Sequence, residues 1–217
     1  MVFSRPAAEE LARLGFRVVD FDYGSGASDP EPRTMLDQVA DVIEVMDAAE
    51  VSSATLVGLS RGAMTAYALA ADFPERVTSL VLVFPVCGFS DTLFLPVEEP
   101  DTLDRMLYYV FSEEFISTHR EEAVALFAIP PGEVTRVERG EEEPFREDME
   151  VSVPTLVLEG GGDQVVSSVH PARYLEAIPG AEHAVIRDAT HRWFYEEAPR
   201  FAGRISEFVK AQAGSVR

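Results

Sequence analysis

The chain has 217 residues, of which 47% are hydrophobic, and this suits one domain with a sizeable buried core. Its formal net charge is −20, from 38 acidic against 18 basic side chains, so phosphate-rich partners such as nucleic acids should be repelled. No apolar run is long enough to span a bilayer, and the first residues have the polarity of a helix and not of a signal peptide, so we expect a cytoplasmic protein without membrane contact. A single cysteine, Cys87, excludes an internal disulfide and a cysteine-rich metal cluster; we expect neither a metal nor a cofactor.

Apolar runs alternate along the chain with segments of helical periodicity, beginning with a helix in AAEELARLG. Several runs are nearly continuous in Val and Leu, as in parallel strands that are covered on both faces. This order predicts an α/β fold with a mostly parallel, doubly wound sheet. The predicted strands are FRVVDFD (16 to 22), ATLVGL (54 to 59), SLVLVFP (79 to 85), PTLVLEG (154 to 160) and HAVIRDA (183 to 189).

The helix before the second run has a readable start and a readable apolar face. Thr34 and Asp37 have the spacing of a capping box. Beyond them an apolar stripe at helical spacing predicts the buried face, formed by Leu36, Val39, Ile43 and Met46.

One segment interrupts the alternation. From about Phe89 to Met149 there is no convincing strand, only two helical patterns, a PPG turn and an acidic run. We interpret residues 89–149 as a small helical lid inserted into a single domain of residues 1–217. Its apolar residues predict an apolar pocket, although they could equally belong to the core: Phe89, Leu93, Phe94, Leu107 and Phe111.

The stretch LVGLSRGAM joins the second predicted strand to a helix. Within it, Gly58-Leu59-Ser60-Arg61-Gly62 fits G-x-S-x-G, a turn that presents a serine at the edge of a sheet. The glycines on both sides are expected because bulkier residues would clash in so sharp a turn. The first amides of the following helix, beginning with that of Arg61, would point at the same place and could stabilise an oxyanion.

A serine hydroxyl needs a base to act as a nucleophile, and the base needs an acid to orient it. Asp163 lies in the glycine-rich loop after the fourth run, where it could also be an ordinary turn or cap aspartate. His191 lies between the last run and the last helix, and the other histidines, His119, His170 and His183, have surface or packing positions. The chain order Ser60, Asp163, His191 is the order of the α/β-hydrolase triad.

On these motifs the sequence resembles the α/β-hydrolase superfamily over roughly residues 7 to 210. FRVVDFDYGSGASD resembles the family's fourth strand and the segment after it, LVGLSRGAM its nucleophile elbow, and LEGGGDQVV and DATHRWFYEEAPRF its acid and histidine loops. The resemblance implies hydrolysis of a carboxylic ester or related acyl bond, and the apolar residues of the lid segment favour a small, apolar substrate. Esterases, lactonases, C–C hydrolases and peroxidase-like relatives share this triad, so the triad does not select the reaction.

The sequence departs from the family pattern in its N-terminal part. The resemblance places another strand between those at 16 to 22 and 54 to 59, and after it a His-Gly loop that supplies the second oxyanion amide, but no segment here matches either. Without that strand the two neighbours would stand about two strand spacings, ~10 Å, apart, too far for backbone pairing. A start of translation upstream of Met1, a rearranged sheet or a strand from a partner chain would each explain this departure, and we expect the first.

These features lead to two functional hypotheses. In the first, Ser60, His191 and Asp163 are the catalytic triad, Arg61 donates its amide, and the partner is a small ester-like molecule. In the second, the chain is a weakly active or non-catalytic relative that binds a small ligand or a partner. Asp91, after the neighbouring strand, is an alternative acid. The sequence leaves the oligomeric state open, a homo-oligomer included.

Overall fold

The computed structural model describes residues 4–21, 34–88, 103–127 and 145–214. Within these ranges no helix has both the length and the hydropathy needed to cross a bilayer. The helices are α1 (Arg5–Arg13), α2 (Met35–Ala48), α3 (Gly62–Asp72), α4 (Leu103–Val110), α5 (Glu113–Phe127), α6 (Val169–Ala177), α7 (Trp193–Glu196) and α8 (Ala198–Gly214), and the strands are β1 (Ala54–Leu59), β2 (Val77–Val83), β3 (Thr155–Gly160) and β4 (Glu182–Ile186).

The described strands form one sheet of four in the order β1-β2-β3-β4, and every pair is parallel. Four of the five predicted runs are therefore strands, with ends displaced by no more than three residues. The two central strands are buried except for Thr78 in β2 and the last two residues of β3, which accounts for their nearly continuous Val and Leu content. The predicted parallel α/β sheet is confirmed.

Helices cover both faces of the sheet. Side chains alternate along β2, so Leu80 and Leu82 pack with α2, α3 and α6 on one face. Val81 and Val83 pack with α1, α7 and α8 on the other face. All four side chains are 0% exposed, so each face of β2 lies in a core of its own. The predicted doubly wound arrangement is also confirmed.

The predicted strand at 16 to 22 is wrong over its described part, residues 16–21, which form no strand. Between this segment and β1 lies a cavity of about 760 Å³, and both line it. The segment is held instead by side-chain bonds, from Ser4 Oγ to Asp20 (2.6 Å) and from Arg17 to the Ala49 carbonyl (2.5 Å). A strand requires a neighbouring strand, and among the described strands β1 pairs with β2 alone.

Helix α2 begins with the predicted capping box, in which Thr34 and Asp37 bond to each other reciprocally. Its buried face is rotated from the predicted stripe, because Leu36 is 61% exposed whereas Val42 is 6% exposed. Gln38 belongs to this buried face, since its side chain accepts a hydrogen bond from the Thr65 hydroxyl of α3 (3.0 Å). The spacing of apolar residues could not predict this face, because it contains a buried polar side chain.

Helices α4 and α5 lie in the segment interpreted as a lid, and its described residues, 103–127 and 145–149, contain no strand. Leu107 and Phe111 are buried in a small apolar cluster that these two helices share. Both residues therefore belong to packing and not to a pocket wall. Phe89, Leu93 and Phe94 lie outside the described residues.

The turn between β1 and α3 explains one of the two motif glycines. A Cβ on Gly58 would lie 2.6 Å from the Gly62 carbonyl oxygen and 2.7 Å from the Ala63 Cα. These distances are shorter than van der Waals contact, and relieving them would require the backbone of the turn to move. A Cβ on Gly62 would meet nothing within 4 Å, so the expectation that a side chain there would clash is wrong.

This asymmetry predicts that Gly58→Ala lowers the free energy of unfolding by about 2 kcal/mol or more, because the turn must open to admit the methyl group. Gly62→Ala, four residues away in the same turn, should change it by less than about 1 kcal/mol, in the stabilising direction, since alanine favours the helix. Urea unfolding of both variants checks this. Equal losses would contradict the contact analysis.

Candidate active site

Ser60 stands at the carboxyl end of β1, in the turn before α3. Its φ is 51°, in the left-handed region that residues other than glycine rarely adopt. The Ser60 amide donates to the Val83 carbonyl at the end of β2 (2.8 Å), which fixes the turn against the neighbouring strand. Arg61 follows as the N-cap residue of α3, so its amide lies at a helix N-terminus.

Asp163 lies in the loop after β3 and uses its two carboxylate oxygens differently. Oδ1 accepts hydrogen bonds from the amides of Val165 (2.7 Å) and Val166 (3.0 Å), the pattern of a loop-capping aspartate. Oδ2 is 2.8 Å from Nδ1 of His191. The side chain is only 2% exposed. Asp163 therefore fits both interpretations made from the sequence: Oδ1 caps its own loop, and Oδ2 can orient His191.

His191 lies in the loop after β4 and reaches both other residues. Its Nε2 is 3.1 Å from Ser60 Oγ, and its Nδ1 is the atom beside Asp163. With the proton on Nδ1, the ring donates to the carboxylate and accepts from the serine hydroxyl. The structure thus brings together, in one continuous line of hydrogen bonds, the three side chains that the sequence analysis selected from distant loops.

The acid and histidine loops meet because their backbones touch. The amide of Gly161 donates to the Ile186 carbonyl (2.8 Å), and that of Gly162 to the Ala189 carbonyl (3.0 Å). A Cβ on Gly161 would lie 2.4 Å from the Arg187 carbonyl oxygen, so a larger residue would push the loops apart. This contact explains the glycine run of LEGGGD.

Phe84 supports the imidazole, and sequence reasoning missed it. It follows β2 with a φ of 47°, is 2% exposed, and its ring centroid is 6.0 Å from that of His191. The left-handed backbone turns the side chain under the site. Its position after a strand, level with Ser60 and Asp163, was the available signal.

The remaining candidates lie elsewhere. His170 is fully buried and its Nδ1 accepts from the Cys87 amide (3.1 Å), while His183 pairs with Glu159 and His119 stacks on Phe115. Asp91 lies outside the described residues. Across the described ranges, no three His, Cys, Asp or Glu side chains are grouped so that they could hold a metal ion.

Comparison with known proteins agrees with this geometry. Residues 2–129 match the family model described as alpha/beta hydrolase fold. The chain is 32% identical over 209 residues to the dihydrolipoyllysine-residue acetyltransferase component of the acetoin cleaving system of Cupriavidus necator; this covers 86% of the chain but only 54% of that protein. It is 30% identical over 233 residues to RutD of Azorhizobium caulinodans, provisionally named a carbamate hydrolase, covering 94% of the chain and 88% of RutD.

Among solved structures, a thermophilic esterase from Thermogutta terrifontis superposes with a TM-score of 0.74 at 23% identity, over 97% of this chain and 85% of that one. At this identity the likeness shows the fold alone. The family model and RutD carry the assignment: the chain belongs to the alpha/beta hydrolase family.

Proposed function

We propose that this chain is a serine hydrolase that cleaves a carboxylic ester or a related acyl bond through an acyl-enzyme. The observation that carries the proposal is the line of hydrogen bonds Asp163–His191–Ser60, with distances of 2.8 and 3.1 Å. Both distances lie within hydrogen-bonding reach, so His191 can take the Ser60 hydroxyl proton on Nε2 while Asp163 holds the Nδ1 proton in place. The names of the two relatives, a carbamate hydrolase and an acetyltransferase component, both refer to chemistry at an acyl carbon.

In the proposed mechanism, Ser60 Oγ attacks the substrate carbonyl carbon while its proton passes to Nε2 of His191. The imidazolium formed is stabilised by Asp163, which also keeps the proton of Nδ1 in place. His191 then gives its new proton to the leaving alcohol as the acyl-enzyme forms. A water molecule attacks the acyl-enzyme with His191 again as base, and the acid and the serine hydroxyl are released.

The negative oxygen of the tetrahedral intermediate needs donors, and the amide of Arg61 is the proposed one. It follows the nucleophile directly and lies at the N-terminus of α3, where the helix dipole favours negative charge. The family uses a second amide as well. A single donor would leave the rate about 10²- to 10³-fold lower than with two.

Helices α4 and α5 are proposed to act as a lid within a single domain. The Val110 carbonyl at the end of α4 accepts from the Arg192 amide (3.0 Å), and the Tyr108 carbonyl accepts from the Gln164 side chain (3.4 Å). Gln164 follows the proposed acid and Arg192 follows the proposed base. The end of α4 therefore contacts both the loop of Asp163 and the loop of His191, which is the position a lid over the substrate requires.

The proposed partner is a small, uncharged ester. With a net charge of −20, the protein should repel anionic substrates. We expect kcat/KM for a neutral p-nitrophenyl ester to exceed that for the matching ester with a free carboxylate, and the ratio to shrink as salt screens the charge. Kinetics with both substrates from 0.01 to 0.5 M ionic strength, as approximate limits, test this. If the ratio of the two kcat/KM values did not change with salt concentration, the preference would not be electrostatic.

A second candidate is ligand binding without turnover, and the cavity beside β1 favours it. This cavity of about 760 Å³ reaches Ser60 and His191, and its volume lies in the range of ligand pockets. A strand inserted between residues 16–21 and β1 would fill the same space. Ligand binding in this cavity and strand pairing along β1 are therefore mutually exclusive.

Covalent labelling separates turnover from binding. A fluorophosphonate probe should modify Ser60, and Ser60→Ala should abolish both the labelling and the hydrolysis of p-nitrophenyl acetate, because the attacking oxygen is gone. Ser117→Ala, which removes an exposed hydroxyl on α5, is the matched control and should retain both. Turnover that survives in Ser60→Ala would exclude the serine as nucleophile.

Asp163→Asn should lower kcat by about 10⁴-fold while the fold stays intact. The asparagine oxygen can still accept from the Val165 and Val166 amides, but its NH₂ group cannot accept from His191 and would favour the wrong tautomer. Asp47→Asn, which weakens a surface ion pair with Arg76, should leave kcat unchanged. If instead Asp163→Asn were fully active and Asp91→Asn inactive, Asp91 would be the acid.

A further inference from the structure

Glu196, the last residue of α7, accepts hydrogen bonds from two separate segments of the chain. Its Oε1 accepts from the Thr190 hydroxyl (2.6 Å), and both of its oxygens are 3.1 Å from the Ser112 amide. The Ser112 hydroxyl also bonds to Oε2. Three donor groups thus converge on one partly buried carboxylate.

Ser112 marks the junction between α4 and α5. Its hydroxyl oxygen accepts from the Phe115 amide (3.1 Å), so Ser112 is the N-cap residue of α5. Because its amide and its hydroxyl both donate to Glu196, the junction is attached to that carboxylate by main chain and side chain together. The bond from the Arg192 amide to the Val110 carbonyl ties the same junction to the histidine loop a second time.

Thr190 immediately precedes His191. Its carbonyl accepts from the Trp193 amide (3.1 Å), and its hydroxyl oxygen accepts from the Arg192 amide (3.3 Å). These two bonds close a tight turn that contains His191. The Glu196 amide in turn donates to the Arg192 carbonyl (3.0 Å). The carboxylate therefore folds back over the loop that carries His191 and holds it at the Thr190 hydroxyl.

We propose that Glu196 is a positioning residue, which acts through Thr190 to fix the imidazole of His191 towards Ser60 and makes that orientation depend on the docked α4–α5 junction. The inference rests on the proposed hydrolase function. Hydrogen bonds to a charged acceptor are shorter and stronger than neutral ones, so the carboxylate can hold the two segments together. A carboxylate also offers only acceptors to these donors, whereas an amide would place a donor against one of them.

A purely structural Glu196 would affect stability alone, and hydroxyl-specific variants separate the two roles. Thr190→Val keeps the shape of the side chain but loses the hydroxyl, and we expect roughly a tenfold to hundredfold fall in kcat on p-nitrophenyl acetate, with KM little changed, from a misplaced base. Thr190→Ser retains the hydroxyl and should restore the rate. Glu196→Gln should behave as Thr190→Val does.

Coupling between the two residues is the sharper measurement. If Glu196 acts through Thr190, the double variant with Thr190→Val and Glu196→Gln should lose no more activity than the worse single variant. Glu197→Gln is the matched control, because Glu197 is the neighbouring glutamate and its carboxylate pairs with Arg200 on the exposed surface instead of with Thr190 or Ser112. It should leave kcat unchanged.

The Nδ1 proton of His191 gives a readout that does not need turnover. By ¹H–¹⁵N NMR, its signal should persist in the unmodified protein, Thr190→Ser and Glu197→Gln, and should broaden through solvent exchange in Thr190→Val and Glu196→Gln. If the unmodified protein neither turns over nor takes up the fluorophosphonate, the proposed function fails, and this signal still decides the positioning role. Variants that melt earlier but keep the proton signal, the labelling rate and kcat would overturn the inference.

Discussion

The backbone contact between the loops after β3 and β4 is the constraint on which the site depends. Asp163 and His191 are 28 residues apart in the chain, yet their side chains meet because Gly161 and Gly162 lie directly on the Ile186 and Ala189 carbonyls. A Cβ at Gly160 or Gly161 would lie 2.6 or 2.4 Å from a backbone oxygen, so these glycines set the separation of the proposed acid and the proposed base. The sheet brings the loops to the same edge, and the glycines set their final distance.

The elements and residues that could be predicted from the sequence are those whose cause is local. The capping box of α2 needs only Thr34 and Asp37, and β2 and β3 are recognisable because burial on both faces demands continuous apolar residues. The meeting of the three proposed site residues could be predicted because parallel strands place their carboxyl ends at one edge of the sheet, whatever their separation along the chain. Local chemistry together with that rule was sufficient to select Ser60, Asp163 and His191.

Features that depend on tertiary contacts with distant parts of the chain could not be predicted. Residues 16–21 have the composition of a strand, but a strand also needs a partner, and the cavity beside β1 keeps that partner away. The exposure of Leu36 depends on how α2 is rotated on α3, where the buried pair of Gln38 and Thr65 takes part. Glu196 could not be singled out among 38 acidic residues, because its partner Ser112 is 84 residues away.

The outer edge of β1 has a consequence for how the site fails under stress. Among the described strands, β1 pairs with β2 alone, whereas β3, which carries Asp163, is paired on both sides. Amide hydrogen exchange in β1 should therefore proceed by smaller local openings than in β3. Ser60 and Asp163 therefore follow strands with different local stabilities, so on warming the proposed nucleophile would lose its alignment with the proposed acid before the sheet as a whole unfolds.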